Sequence, residues 1–183
     1  VLILKQIPYF MISLKYMSFY SIIISNLKYL IPLLASLFFS IITIMPIMPI
    51  GYESIAPLLG VVSMAFWIMH RPDIMSWFFV IIIGFYCDIL YGTILGSGVL
   101  SSIIIRFVIT KVLYKLEPIN IYHTLFYLST SLFIWLFVSV SINSIINLEA
   151  YNFFNTFFQG LISIIISPIV IFSQLYLLKK ISI

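Results

Sequence analysis

Few side chains in this sequence could do chemistry, and they are widely spaced. The 183 residues hold five carboxylates, nine Lys or Arg, two His and one Cys. The densest stretch is Gly84-Phe-Tyr-Cys87-Asp88-Ile-Leu-Tyr91-Gly92-Thr93-Ile-Leu-Gly96, where Gly84, Asp88, Gly92 and Gly96 recur every four residues. If that stretch is helical throughout, the four share one face. Small residues at this spacing let a second helix approach closely. Asp88 would then lie in a seam between helices, of this chain or of a partner. The alternative is a helix-terminal Asp that accepts backbone donors of the Gly-rich turn after it. On the seam reading, a leucine at Gly92 is expected to disrupt packing by steric exclusion. Arg106 is the second isolated charge, five residues before Lys111. Either its long side chain reaches a membrane interface, or it pairs with Asp88. Ser101, Ser102 and Asn143 are candidates for polar contacts between helices.

Catalytic constellations are missing from this list. His70 and His123 match no metal-ligand spacing, and there is no phosphate loop, no His-Glu-x-x-His and no carboxylate pair. Ser97 and His123 belong to opposite ends of the expected helices, so they do not form a nucleophile–base pair. A single Cys87 cannot form a disulfide within the chain or a multi-cysteine zinc site. No cofactor and no enzymatic activity are expected.

The elements that must position these residues are set by composition. Apolar residues make up 63% and charged residues 8%, with a mean hydropathy of +1.25. Soluble domains are typically about 25% charged, so most of this chain cannot face water. The pI of about 9.2 comes from nine scattered cations and is no nucleic-acid footprint. Charge-free intervals enclose 24 residues before Glu53, 17 before Arg71, 14 before Asp88, 17 before Arg106, 31 before Glu149 and 29 before Lys179. A bilayer core needs about 20 residues of helix. The expectation is an all-α integral membrane protein with six transmembrane helices, at about 29–48, 54–70, 74–91, 95–115, 121–146 and 155–178. Breaks fall at Pro46, Pro49 and Gly51, at Arg71-Pro72-Asp73, at Gly92 to Gly98, at Glu117-Pro118, and at Asn147 to Asn155.

Residues 1–28 carry Lys5, Lys15 and Lys28 among aromatics and read as a cytoplasmic, interfacial segment. No small-residue cleavage pattern follows a short apolar core, so a cleaved leader is not expected. Residues 29–183 read as one membrane domain. Six spans put Lys5, Lys15, Lys28, Arg71, Lys111, Lys115, Lys179 and Lys180 on one side, and Glu53 and Glu149 on the other. The positive-inside rule makes the first side cytoplasmic, with both termini. Asp88 falls about 22 Å, or about 15 residues, from the cytoplasmic end of its helix, in the outer half of the membrane.

The order of these features resembles the rod shape-determining protein MreD family of bacteria. Pro32 opens the first span and Pro46 and Pro49 close it. Ala56-Pro57 follows, then Phe66-Trp67 leading into His70-Arg71-Pro72-Asp73, then Gly84-x-x-x-Asp88-x-x-x-Gly92-x-x-Leu95-Gly96. The likeness covers about residues 29–117 and is compositional beyond. It implies a non-enzymatic inner-membrane scaffold of the cell-elongation machinery, associated with MreC. Through MreC it would couple the filament protein MreB to peptidoglycan synthases and so regulate cell shape. It also implies a fold similar to the substrate-binding subunits of energy-coupling-factor vitamin transporters. A vitamin-binding transporter subunit is therefore the competing class. It would need several convergent polar groups in an outward pocket.

Overall fold

A computed structural model describes residues 29–45, 55–113, 121–147 and 153–181. The expected N-terminal segment 1–28 lies outside the described residues, as do Pro46, Pro49, Glu53, Lys115, Glu117 and Glu149. The chain divides after Ile31 into two units. Of the first, only the opening of α1 is described; the helix bundle belongs to the second, Pro32–Ile183.

The described residues are all-α, with six helices: α1 (Tyr29–Ile44), α2 (Leu59–His70), α3 (Trp77–Tyr91), α4 (Ser97–Phe107), α5 (Ile121–Asn147) and α6 (Phe153–Ile181). A π-helical segment, Val108–Leu113, continues α4. Within α5 and α6, Tyr122–Ile146 and Phe154–Lys180 are long and apolar enough to cross a membrane.

The core is built around α2. Its residues Leu59 to Ile68 are all buried, and it touches α3, α4, α5 and α6. Met64, Phe66 and Trp67 fill the centre with no exposed surface. The expected span 54–70 is helical only from Leu59, because residues 56–58 run as irregular backbone. That backbone is satisfied from α6: Gln159 Nε2 donates to the Ala56 carbonyl at 3.0 Å, and the Leu58 N–H donates to Ser163 Oγ at 2.9 Å. A helix start with no side-chain cap of its own is thus capped by a neighbouring helix.

The surrounding helices bury polar residues beside apolar ones and turn further large apolar residues outward. On α1, Ser36 and Ser40 are fully buried, while Leu34 and Phe38 are more than half exposed. Ser36, Ser40 and Thr43 each donate to the carbonyl four residues back, at 2.9, 2.9 and 3.1 Å. The hydroxyls are thereby satisfied within their own helix. On α3, Gly84, Cys87 and Asp88 are buried, and Phe78, Phe85 and Ile89 are exposed. On α6, Ser163, Ser167 and Gln174 are buried, and Phe154, Ile165 and Ile169 are exposed. Pro168 stands inside α6 and cannot donate to the Ile164 carbonyl. Ser167 Oγ does so instead, at 2.7 Å, and the helix runs on unbroken.

Candidate functional site

The α3–α4 turn gathers most of the residues singled out in the sequence. α3 begins at Ser76, whose Oγ accepts the Phe79 N–H at 3.5 Å, and ends at Tyr91. Gly92 comes next, with φ +63, and sends its N–H back to the Asp88 carbonyl. Gly96 has φ +103 and precedes the first residue of α4. Both positions lie in the left-handed region, where a Cβ is strained and glycine is not. The chain therefore turns back on itself within five residues.

Asp88 locks that reversal. Its side chain is 1% exposed. Oδ1 accepts Thr93 Oγ1 at 2.8 Å, Ser97 Oγ at 3.1 Å and the Gly98 N–H at 2.6 Å. Oδ2 accepts the Gly96 N–H at 2.8 Å. A carboxylate offers about four acceptor sites; three of the four donors from the turn converge on Oδ1, and one reaches Oδ2. Two of those donors, Gly96 N–H and Gly98 N–H, belong to the start of α4, where a negative charge is favourable to the helix dipole. The carboxylate is thus a clasp between α3 and α4, held by four donors of its own chain.

This corrects the one-face seam through Gly84, Asp88, Gly92 and Gly96. The four-residue spacing holds only from Gly84 to Asp88, because α3 stops at Tyr91. A Cβ on Gly92 or Gly96 would meet nothing within 4 Å. A leucine at Gly92 is therefore disfavoured by backbone strain, not by exclusion of a neighbouring helix. The close crossing is instead Gly84 against Gly98. A Cβ on Gly84 would come within 2.8 Å of the Gly98 carbonyl oxygen and Val99 Cα, and one on Gly98 within 2.8 Å of the Gly84 carbonyl oxygen. Gly98, Thr93 and Ser97 are the residues that spacing alone missed. Their signal was present as donors at fixed intervals after an acid, not as a helical repeat.

Arg106 does not meet Asp88. Its Nη2 donates to the Pro72 carbonyl at 3.3 Å, and its guanidinium carbon lies 4.9 Å from the Trp77 ring centroid. It is therefore level with the α2–α3 turn. That turn, Arg71-Pro72-Asp73, is closed by Ile74 and Met75 N–H groups donating to the Arg71 carbonyl at 3.2 and 3.1 Å. Asp73 is exposed, and Arg71 half-buried. His70 stacks on Phe66 with centroids 4.1 Å apart. His123 is exposed on α5.

A second polar group lies in the core. Gln174 Nε2 donates to Ser63 Oγ at 2.8 Å, and Ser63 Oγ donates to Ser36 Oγ at 3.4 Å. This chain of hydrogen bonds ties α6, α2 and α1 together at positions with no exposed surface. Ser40 Oγ lies 3.5 Å from Cys87 Sγ, which ties α1 to α3. Among the described residues, no three His, Cys, Asp or Glu side chains come together in a way that could hold a metal. A groove of about 360 Å³ runs between α5 and α6, lined mainly by Leu132, Phe133, Phe137, Phe157, Leu161 and Ile164. Comparison with known proteins finds no matching family model, no matching curated protein and no matching solved structure.

Proposed function

We propose that the chain is a six-span inner-membrane scaffold of the MreD type. In this reading it works through helix contacts in the bilayer and through small cytoplasmic turns, and it performs no chemistry of its own. MreC is its direct partner, and MreB and the peptidoglycan synthases are indirect ones. Both termini lie in the cytoplasm.

The observation that carries the reading is the state of Asp88. The resemblance makes the Gly84 to Gly96 stretch the family's most recognisable part. Its one acid is consumed by four donors of the adjoining turn. An acid buried this way and held by four donors of its own turn shapes a hairpin, which supports a structural role over a substrate-binding one. The membrane setting is supported by the outward-facing Phe, Ile and Leu of α1, α3, α5 and α6, with Ser, Gln and Asp buried beside the apolar core. Irregular backbone at residues 56–58 also fits, because such backbone is tolerated at membrane depth where protein surrounds and satisfies it.

The test is a mild-detergent pull-down of the tagged full chain from its native membrane, analysed by mass spectrometry. Recovery of MreC and wall-synthesis proteins is expected. Recovery of a transport ATPase pair, or of a bound vitamin, would overturn the scaffold in favour of the transporter subunit.

A further inference from the structure

Arg106 is 8% exposed and poorly partnered. Its guanidinium carries five N–H bonds. The single hydrogen bond to protein is the long one from Nη2 to the Pro72 carbonyl. Nε and Nη1 are buried and have no partner among the described residues. Three N–H bonds of a cation are therefore left unmet, a costly arrangement for any buried charged group. The other contact is the Trp77 ring, 4.9 Å away and 46% exposed, so the guanidinium lies about one side chain beneath the outer surface of the bundle.

The charged residues carried nearby by the turn and the segment after α4 are mostly of its own sign. Arg71 and Asp73 flank Pro72 on the turn, and Lys111 lies on the π-helical segment that begins two residues after Arg106. Two acids are described: Asp73 is exposed, and Asp88 is committed to the α3–α4 turn. Such π-helical interruptions are frequent at functional sites. A guanidinium with unmet donors and no carboxylate partner among the described residues is matched to an anion with several oxygens. The planar donor fork suits a phosphate.

We propose that Arg106, between Pro72 and Trp77, binds a phosphate group, and that its source is the phosphodiester of an anionic lipid in the adjoining leaflet. The assignment of the source rests on the membrane setting proposed for the chain. Arg106 is level with the turn that ends α2 and starts α3, which is where headgroups meet a spanning bundle. Trp77 is the kind of aromatic side chain that sits at that depth.

The experiment uses the purified full chain, wild type beside Arg106→Gln, with Lys179→Gln as a control for general charge loss. One arm measures thermal unfolding in nanodiscs of phosphatidylcholine alone or with added phosphatidylglycerol, and counts retained lipid by native mass spectrometry. The other measures unfolding in uncharged detergent with inorganic phosphate against chloride at equal ionic strength. Phosphatidylglycerol is expected to raise the midpoint of wild type and Lys179→Gln. In Arg106→Gln it should fail to do so, with about tenfold weaker retention of the lipid, the loss of one charge-assisted contact. Stabilisation by inorganic phosphate with no further gain from phosphatidylglycerol would overturn the lipid source and keep the anion site. The same response in Arg106→Gln as in wild type, or no response in either arm, would overturn the site, leaving Arg106 for a carboxylate of a partner protein. If the chain does not enter nanodiscs at all, the membrane reading fails, and the detergent arm still tests Arg106.

Discussion

Asp88 shows how one residue type can serve opposite roles at the same address. An acid in an apolar helix is a functional candidate by default, yet here both oxygens are engaged by donors between Thr93 and Gly98. Asp88→Asn replaces one oxygen by an N–H₂ group that faces backbone N–H donors. Buried donors left unpaired cost about 1–3 kcal/mol each, so a loss of about 3 kcal/mol is expected as a lower midpoint of thermal unfolding in detergent. An unchanged midpoint would show that the clasp does not hold the turn. The glycines divide in the same terms. Gly98→Ala and Gly84→Ala drive a Cβ against backbone of the facing helix, so each should cost about 1–3 kcal/mol. Gly92→Ala meets no neighbour and loses only through its left-handed backbone, about 1 kcal/mol. Gly92→Asn should lose less, since Asn tolerates that region. A larger loss at Gly92 than at Gly98 would restore the seam reading. The unfolding midpoints of the four variants decide it.

At the scale of elements, the sequence was most legible where charge and proline punctuate it. Arg71-Pro72-Asp73 ends one helix and starts the next, and six helices stand among the described residues. Two things were not legible. A period of four is read as helix by its spacing, but the two glycines beyond Tyr91 adopt backbone that only glycine takes easily, and spacing carries no φ. The late start of α2 was hidden because residues 56–58 are as apolar as the helix itself, and their partners, Gln159 and Ser163, lie about a hundred residues away. Pro168, inside the last expected span, raises the expectation of a kink that leaves carbonyls for a serine or a neighbouring helix; Ser167 takes one of those carbonyls. Ser167→Ala should therefore cost about 1 kcal/mol, whereas Ser173→Ala, whose Oγ donates to Val170 in ordinary helix, should cost less. Equal midpoints for the two would contradict this account of the proline. Gln174 is the converse case: its Oε1 is buried with no partner. Gln174→Met removes that unmet acceptor at similar volume, and the midpoint should stay within about 0.5 kcal/mol of wild type or rise. A loss of several kcal/mol would mean that the Ser36–Ser63–Gln174 chain is worth more than its unpaired oxygen costs.

For the whole molecule, the governing feature is an exterior as apolar as the core. A soluble domain exposes its charges; here α1, α3, α5 and α6 expose Phe, Ile and Leu, and bury Ser, Gln and Asp beside an apolar core. In α2, buried from Leu59 to Ile68, 12 residues span about 18 Å; on the proposed reading it needs no lipid-facing surface. On the proposed reading, scaffold contacts, the Asp88 clasp in the outer half and the phosphate at Arg106 all depend on one orientation, with the α2–α3 turn inside the cell and the α3–α4 turn outside. The most direct test is site-specific labelling of intact spheroplasts with a membrane-impermeant maleimide. Cys87 is first replaced by serine, and single cysteines are then placed at Asp73, Leu95 and Lys179. Leu95 is exposed on the α3–α4 turn, and the other two are exposed on the expected cytoplasmic face. The account expects labelling at position 95 in intact cells, and at 73 and 179 only after permeabilisation. Labelling of 73 or 179 from outside, or of all three alike, would contradict it.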